Sequence, residues 1–173
     1  MTDAIRAWVE EQSGLTSIWM HGNAPRPGKP YCSLQVVSSV GIAQPYIEAP
    51  DSESGEARVA SQREVVVSVA IYESKKESDP RAAFSRVEAL RDSLDLPSVL
   101  MKLKSGGWFL RAVELLADAP VVRETEWEPR AIFDVRFGTT VEQLDEIGVV
   151  EEIQGMAVLS GKDYEIKEGV NNG

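Results

Sequence analysis

Imidazole and thiol are almost absent from this chain: its 173 residues hold one histidine, His21, and one cysteine, Cys32. A zinc site of ordinary ligand count cannot be assembled from that supply. A serine nucleophile would have only His21 as its base, and no Gly-x-Ser-x-Gly elbow occurs to carry it. A lone cysteine cannot close an intramolecular disulfide, and its place in an apolar alternation marks Cys32 as a buried structural thiol rather than a nucleophile. Ser105-Gly106-Gly107 has neither the lysine nor the spacing of a phosphate-cradling loop, no Gly-x-Gly-x-x-Gly is present, and the glycine pair reads as a helix stop. With no N-terminal signal pattern and no apolar run near ~18 residues, neither export nor a membrane span is expected, and the setting is a reducing cytoplasm. No fixed-period repeat occurs, which excludes solenoids and propellers.

Positive charge is also scarce. Lys and Arg number 18 against 28 Asp and Glu, a net charge of -10 with a pI near 4.7. Phosphate binding is driven by clustered cations, so a nucleic-acid surface is not expected. Carboxylates are plentiful, notably Glu126 with Glu128 and Glu151 with Glu152. Residues two apart on a strand share a face and repel unless a cation sits between them. An acidic surface therefore explains them better than a paired general acid and base. No catalytic residue, cofactor or metal is expected, and the chain does not read as an enzyme.

What is present is an ordinary soluble composition, 43% hydrophobic and 27% charged, of a length that suits one domain with a real core. The most informative stretch runs from Gln62 to Leu94. Val65, Val67, Val69 and Ile71 share one parity and Glu64, Ser68 and Ala70 the other, which predicts a half-buried strand. Asp79 is placed to cap a helix with Pro80 at its first position, and Phe84, Val87, Leu90, Arg91 and Leu94 recur at helical spacing. Around this unit, Thr2 to Glu10 predicts a helix with Ile5, Trp8 and Val9 on one face and Gly14 as its stop. Leu15–Met20 predicts a brief strand. Five glycines or prolines between His21 and Pro30 exclude a regular element there, and His21 is expected to face solvent.

Tyr31 to Gly41 alternates again, with Cys32, Leu34 and Val36 on one side. Beyond it, Ala49 to Glu56 is polar enough to be the tip of a long hairpin whose returning arm is Ala57 to Tyr72. Such an arm outruns the core that one helix can cover, so the tip is expected to project into solvent or onto another subunit. Leu96-Pro97 breaks the main helix, Ser98 to Lys104 fits a short helical turn, and Trp108 to Leu115 is read as a strand. Val121 to Glu126 reads as a further extended piece. Ala131, Phe133, Val135 and Phe137 alternate into a second clear strand. Thr139 to Gly148 reads as a loop or a helical turn, Val149 to Leu159 as an exposed arm, and Ser160 to Gly173 as a flexible tail. The domain expectation is thus 1-159 with a tail at 160-173. Of four tryptophans, at 8, 19, 108 and 127, only Trp127 sits in a strongly polar neighbourhood, which suits an interface.

Ile18-Trp19, then Asn23-Ala24-Pro25-Arg26-Pro27 and Pro30-Tyr31 opening a strand, resemble the start of tailed-phage neck or tail terminator proteins. The order of the later elements is similar too: an arginine-led strand ending in tyrosine (Arg63 to Tyr72), an Ala/Phe-containing helix (Ala82 to Leu94), and Glu128-Pro129-Arg130-Ala131 leading into Phe133 and Phe137. The resemblance spans Met1 to Leu159 and rests on the order of short motifs. It implies an α+β fold, a mainly antiparallel sheet with two or three helices packed on one face, to which the residue pattern adds a long projecting hairpin.

It further implies a structural virion protein, assembled in the bacterial host cytoplasm. Such a protein would form a homo-hexameric ring that caps the tail tube and offers the neck surface for head–tail joining. The implied partners are other copies of the chain, the tail tube protein, connector or head-completion proteins, and the sheath where a tail is contractile. DNA only passes through the lumen, whose acidic wall would repel phosphate, and no membrane is involved. The alternative is another neck or head–tail completion component, or a tube-like subunit. The surfaces expected to meet a neighbour are the hairpin, with Tyr46, Pro50, Asp51, Glu53 and Arg58; the Trp127 neighbourhood, with Glu128 and Arg130; and the later arm, with Glu151 and Glu152.

Overall fold

In the computed structural model, which describes residues 3–20, 22, 25–74, 79, 81–123, 126–148, 153–159 and 162–168, the first element is helix α1 (Asp3–Ser13). Its spacing turns Ile5, Trp8 and Val9 inward, and it closes where the Gly14 N–H meets the Glu10 carbonyl at 3.0 Å. Strand β1 (Ser17–Trp19) pairs in parallel with β2 (Tyr31–Gly41), which pairs antiparallel with β4 (Glu56–Tyr72); the two-residue β3 (Tyr46–Ile47) lies between them in sequence and also pairs with β4. Helix α2 (Ala82–Asp92) runs into a single 3₁₀ turn at Ser93–Asp95, and α3 (Pro97–Ser105) starts with proline at its first position. Strands β5 (Phe109–Val113), β6 (Ala117–Asp118), β7 (Val121–Arg123), β8 (Glu126–Glu128), β9 (Arg130–Glu146), β10 (Ile153–Leu159) and β11 (Lys162–Glu168) complete the described chain. The architecture is α+β with a mainly antiparallel sheet, as the alternation and the resemblance lead one to expect.

The chain divides into two compact units, residues 1–44 with 61–141 and residues 45–60 with 142–173, and both long strands, β4 and β9, contribute to each. In the first unit the strand order is β1-β2-β4-β9-β5, with β6 also on β9. The Glu73 N–H bonds to the Pro129 carbonyl and Glu64 pairs with Arg136, so β4 and β9 run antiparallel. One face carries Cys32, Leu34, Val65, Val67, Val69, Ile71, Phe133, Val135 and Phe137 against the inner faces of all three helices. Trp8 and Trp108 meet Phe137 edge-on, with centroids 6.4 and 5.9 Å away. The Trp8 indole N–H donates to Ser93 Oγ at 3.0 Å, and that hydroxyl donates to the Leu90 carbonyl, so this polar handle is satisfied inside the core.

Four local expectations differ from the fold. The Gln62–Tyr72 strand is covered on both faces at its end, not on one: Ala70 and Tyr72 join Tyr31 in a second apolar cluster, packed by Ile18, Val121 and Ile132. Val36, expected inside with Leu34, is exposed although it pairs with the buried Val67, and the β2–β4 register slips just after it, between Val36 and Ser38. Helix α2 begins at Ala82, and Asp79 organises the preceding turn instead, accepting from the Arg81 N–H at 3.0 Å; Pro80 lies outside the described residues. Thr139 to Glu146 is neither loop nor helical turn but the continuation of β9.

The second unit is built from ladders and turns. Tyr46 and Ile47 face Ala60 and Val59, and Arg58 pairs with Glu142. The Ile147 and Gly148 N–H groups both reach the Gly55 carbonyl. Here β10 pairs antiparallel with β11 from Ile153↔Glu168 to Leu159↔Lys162. A strand thus occupies part of the stretch whose composition suggests a tail, because Tyr164 and Ile166 alternate with charged residues at period two. No described helix is long and apolar enough to cross a membrane.

Candidate assembly surfaces

The hairpin tip is held by one carboxylate. Asp51 Oδ1 accepts from the backbone N–H of Ser54 (2.8 Å), the backbone N–H of Glu53 (3.0 Å) and the Ser54 hydroxyl (3.1 Å). These bonds, the Ser54 backbone contact first, hold the Asp51 carboxyl below the usual aspartate range. The Asp51 N–H returns to the Glu56 carbonyl at 2.8 Å, and Gly55 takes φ of +70° with the Gly148 backbone 2.9 Å from where a β-carbon would sit. Only glycine fits such a position without displacing backbone. Around this turn Pro50, Glu53 and Arg58 are exposed, and Tyr46 is 67% exposed with Ile47 beside it. Leu144 and Ile147, in the same unit, are more than half exposed. Aromatic and aliphatic groups held on a fixed backbone in water are the kind of surface a partner covers.

The second predicted surface separates into parts. Trp127 stands on the β7–β8 hairpin, opposite Val122 in register, and is 64% exposed, as its polar neighbourhood suggests. Glu128 does not share that exposure. Its side chain is 5% accessible and holds the Lys29 ammonium, so the cation that a close carboxylate needs comes from the loop before β2. Arg130 is half-buried, donating from Nε to the Ala119 carbonyl at 2.9 Å and lying over the Tyr72 ring at 5.8 Å. Glu128 and Arg130 therefore tie the hairpin to the sheet and present no free charge. Glu151 and Glu152, and also His21, lie outside the described residues.

None of these groups forms a reactive constellation. Cys32 is fully buried, and burial pushes its thiol up to about 11, far from the range of a nucleophilic thiolate. Among the described residues no three His, Cys, Asp or Glu side chains gather as metal ligands. Sequence reasoning does not single out Arg111, the extra residue where the β5–β9 register slips, which lies against Gly138 and lines a cleft with Gln62 and Phe109.

Exposed apolar residues on a hydrogen-bonded hairpin are the kind of surface that a structural assembly protein presents. The family described as phage neck terminator protein matches residues 1–163, and the chain belongs to that family. No curated protein matched the chain. The family places it among structural virion components of the phage neck, whose partners are other neck and tail components.

Proposed function

We propose that copies of this chain form a ring, a hexamer by the resemblance, that caps the end of the tail tube and presents the neck surface to which the head and its connector attach. The observation that carries this reading is the exposed apolar set of the second unit, Tyr46 and Ile47 on the hairpin whose turn is braced by Asp51, with Leu144 at the end of β9 and Ile147 just after it. A lone soluble domain gains nothing by holding such residues in water, whereas an interface buries them. The net charge of -10 suits a lumen through which DNA slides without adhering. Where a tail is contractile, the same ring would meet the sheath.

Native mass spectrometry of the protein alone and with purified tail tubes tests it, together with tube lengths measured by electron microscopy. A ring mass and tubes that stop elongating on addition of the protein are the expected results. A chain that stays monomeric and ignores tube ends would defeat the proposal. Binding to connector complexes without any effect on tubes would make it a different neck component.

A further inference from the structure

The main sheet ends in two different edges. At one of them β5 and β6 lie along β9, and the register slips twice: between Leu110 and Ala112, and again between Val113↔Val135 and Ala117↔Ile132, where β9 is one residue shorter. Arg111, Glu114 and Asp118 put charge along this edge, and Pro120 follows it. Bulges, charges and proline are the devices that keep a sheet edge from pairing with another chain.

The opposite edge is open. Strand β1 covers β2 only from Cys32 to Leu34, and among the described residues no strand lies beside the remainder, Gln35 to Gly41. The Met20 N–H takes the Leu34 carbonyl, and the Ile42 N–H takes the Gln62 carbonyl of β4. Strand alternation on either side of the slip between Val36 and Ser38 therefore turns the N–H and C=O groups of Val36, Ser39 and Gly41 away from β4. No charged residue or proline occurs from Gln35 to Gln44. Val36, Val37, Val40 and Ile42 are each 45% to 54% exposed. An unpaired, uncharged, β-branched edge of this kind is a template for an added strand.

The chain also carries a strand in need of a sheet. Strands β10 and β11 pair with one another and, among the described residues, with no other strand; a hairpin of two strands is marginal on its own in water. Their compositions are unequal. In β11, Lys162, Asp163, Glu165, Lys167 and Glu168 are charged, whereas β10, Ile-Gln-Gly-Met-Ala-Val-Leu, has no charge at all. By the criterion that separates the two edges of the main sheet, β11 is guarded and β10 is open. We propose that β10 of one copy adds to the free Gln35–Gly41 edge of β2 in the next copy, extending the sheet across the boundary between them by backbone hydrogen bonds. β10 and the free edge are equally long. The contact rests on the proposed ring and deepens it by naming both strands of one interface. Joining two different edges head to tail is the heterologous contact a closed ring requires, whereas two β2 edges pairing with each other would stop at a dimer.

The test reads native mass and disulfide trapping on the full chain. Ser39→Pro removes an N–H that faces away from β4, so the β2–β4 ladder keeps its bonds while the edge loses a donor. Ala157→Glu puts a charge into β10. Each should weaken self-association by about tenfold or more. Val113→Pro is the control on the guarded edge: the Glu114 N–H bonds to the Asp134 carbonyl, so the Val113 N–H faces away from β9, and its loss should leave the ring mass unaltered. For trapping, the Ser39→Cys chain is mixed with chains carrying Gln154→Cys, Met156→Cys, Ala157→Cys or Val158→Cys and oxidised; Cys32 stays silent because it is buried. At least one mixture should yield a disulfide-linked pair with one chain of each kind, and mixtures with Tyr164→Cys or Ile166→Cys in β11 should not. A ring whose mass survives Ser39→Pro, no link to any of the β10 positions, or a link to β11 instead, would overturn this contact and leave the ring standing. Disulfide-linked dimers of the Ser39→Cys chain with itself would mean that two β2 edges pair, and would overturn it too. Loss of tube binding by the Ser39→Pro chain at unchanged ring mass would assign the edge to the tube protein and overturn the proposal. A wild-type chain that stays monomeric even with tube ends present would overturn the ring itself.

Discussion

Strands β4 and β9 run through both units, and the apolar side chains of the two units differ in what covers them. In residues 61–141 their apolar members, from Val65 to Ile71 and from Phe133 to Phe137, are almost wholly buried under three helices. In residues 45–60 and 142–148 the large side chains Tyr46, Ile47, Leu144 and Ile147 are more than half exposed, while the small Ala57 is buried. The backbone is paired in both places, and in the first the helices pack on one face of the sheet. Alternation that ends in burial builds the scaffold. Exposed apolar residues on an equally ordered backbone are what the scaffold offers to others.

Truncating one residue on each side of that divide is the largest test. Phe137→Ala removes a ring that packs against Trp8 and Trp108, and should cost about 3–5 kcal/mol of stability in urea denaturation. Leu144→Ala, at 71% exposure, should stay within about 0.5 kcal/mol at protein concentrations where the chain is monomeric. A Leu144→Ala loss comparable to that of Phe137→Ala would erase the distinction, because it would mean that Leu144 belongs to a core.

A smaller effect probes how the scaffold fastens its β7–β8 hairpin. Lys29→Met leaves the buried Glu128 carboxylate without its cation and should cost about 3 kcal/mol. Adding Glu128→Gln should recover most of the loss, since a neutral amide needs no counter-charge. If the single change were silent in thermal denaturation, Glu128 would not be part of the scaffold and would belong with Trp127 on the interface side of the divide.

The scaffold is legible in the sequence where periodicity and burial coincide. The period-two runs Val65–Ile71 and Ala131–Phe137, and the helical spacing of Val87, Leu90 and Leu94, each correspond to a face packed in the core. The pattern misleads at Thr139–Glu146, where Val141 and Leu144 stand at helical spacing but the chain continues as a strand that is exposed from Glu142 onward. Glu128 reads as a solvated charge because its partner, Lys29, is distant in the chain and arrives only through the fold. The exposure of Trp127 agrees with its polar neighbours in the sequence. Arg111 cannot be found from local pattern, because the bulge that aims it is a mismatch between two strands and is written in neither one.

The smallest expected effect concerns the brace of the second unit. Hydrogen bonds from the Ser54 and Glu53 backbone lower the Asp51 pKa in the folded chain, so the folded turn favours the ionised carboxylate. Its contribution is complete above the ordinary aspartate range of about 4 and is lost as pH falls through the depressed folded value. Amide exchange at Glu53 and Ser54, corrected for its intrinsic pH dependence, should therefore accelerate in acid while amides of Val67 and Val135 in the core hold their protection. Asp51→Asn keeps an oxygen acceptor but removes the charge, and should abolish the pH dependence while leaving part of the protection. Loss of protection in the turn and the core at the same pH would show that the two units open together. Loss in the turn alone would establish the hairpin as a separately braced arm on a scaffold that does not sense it.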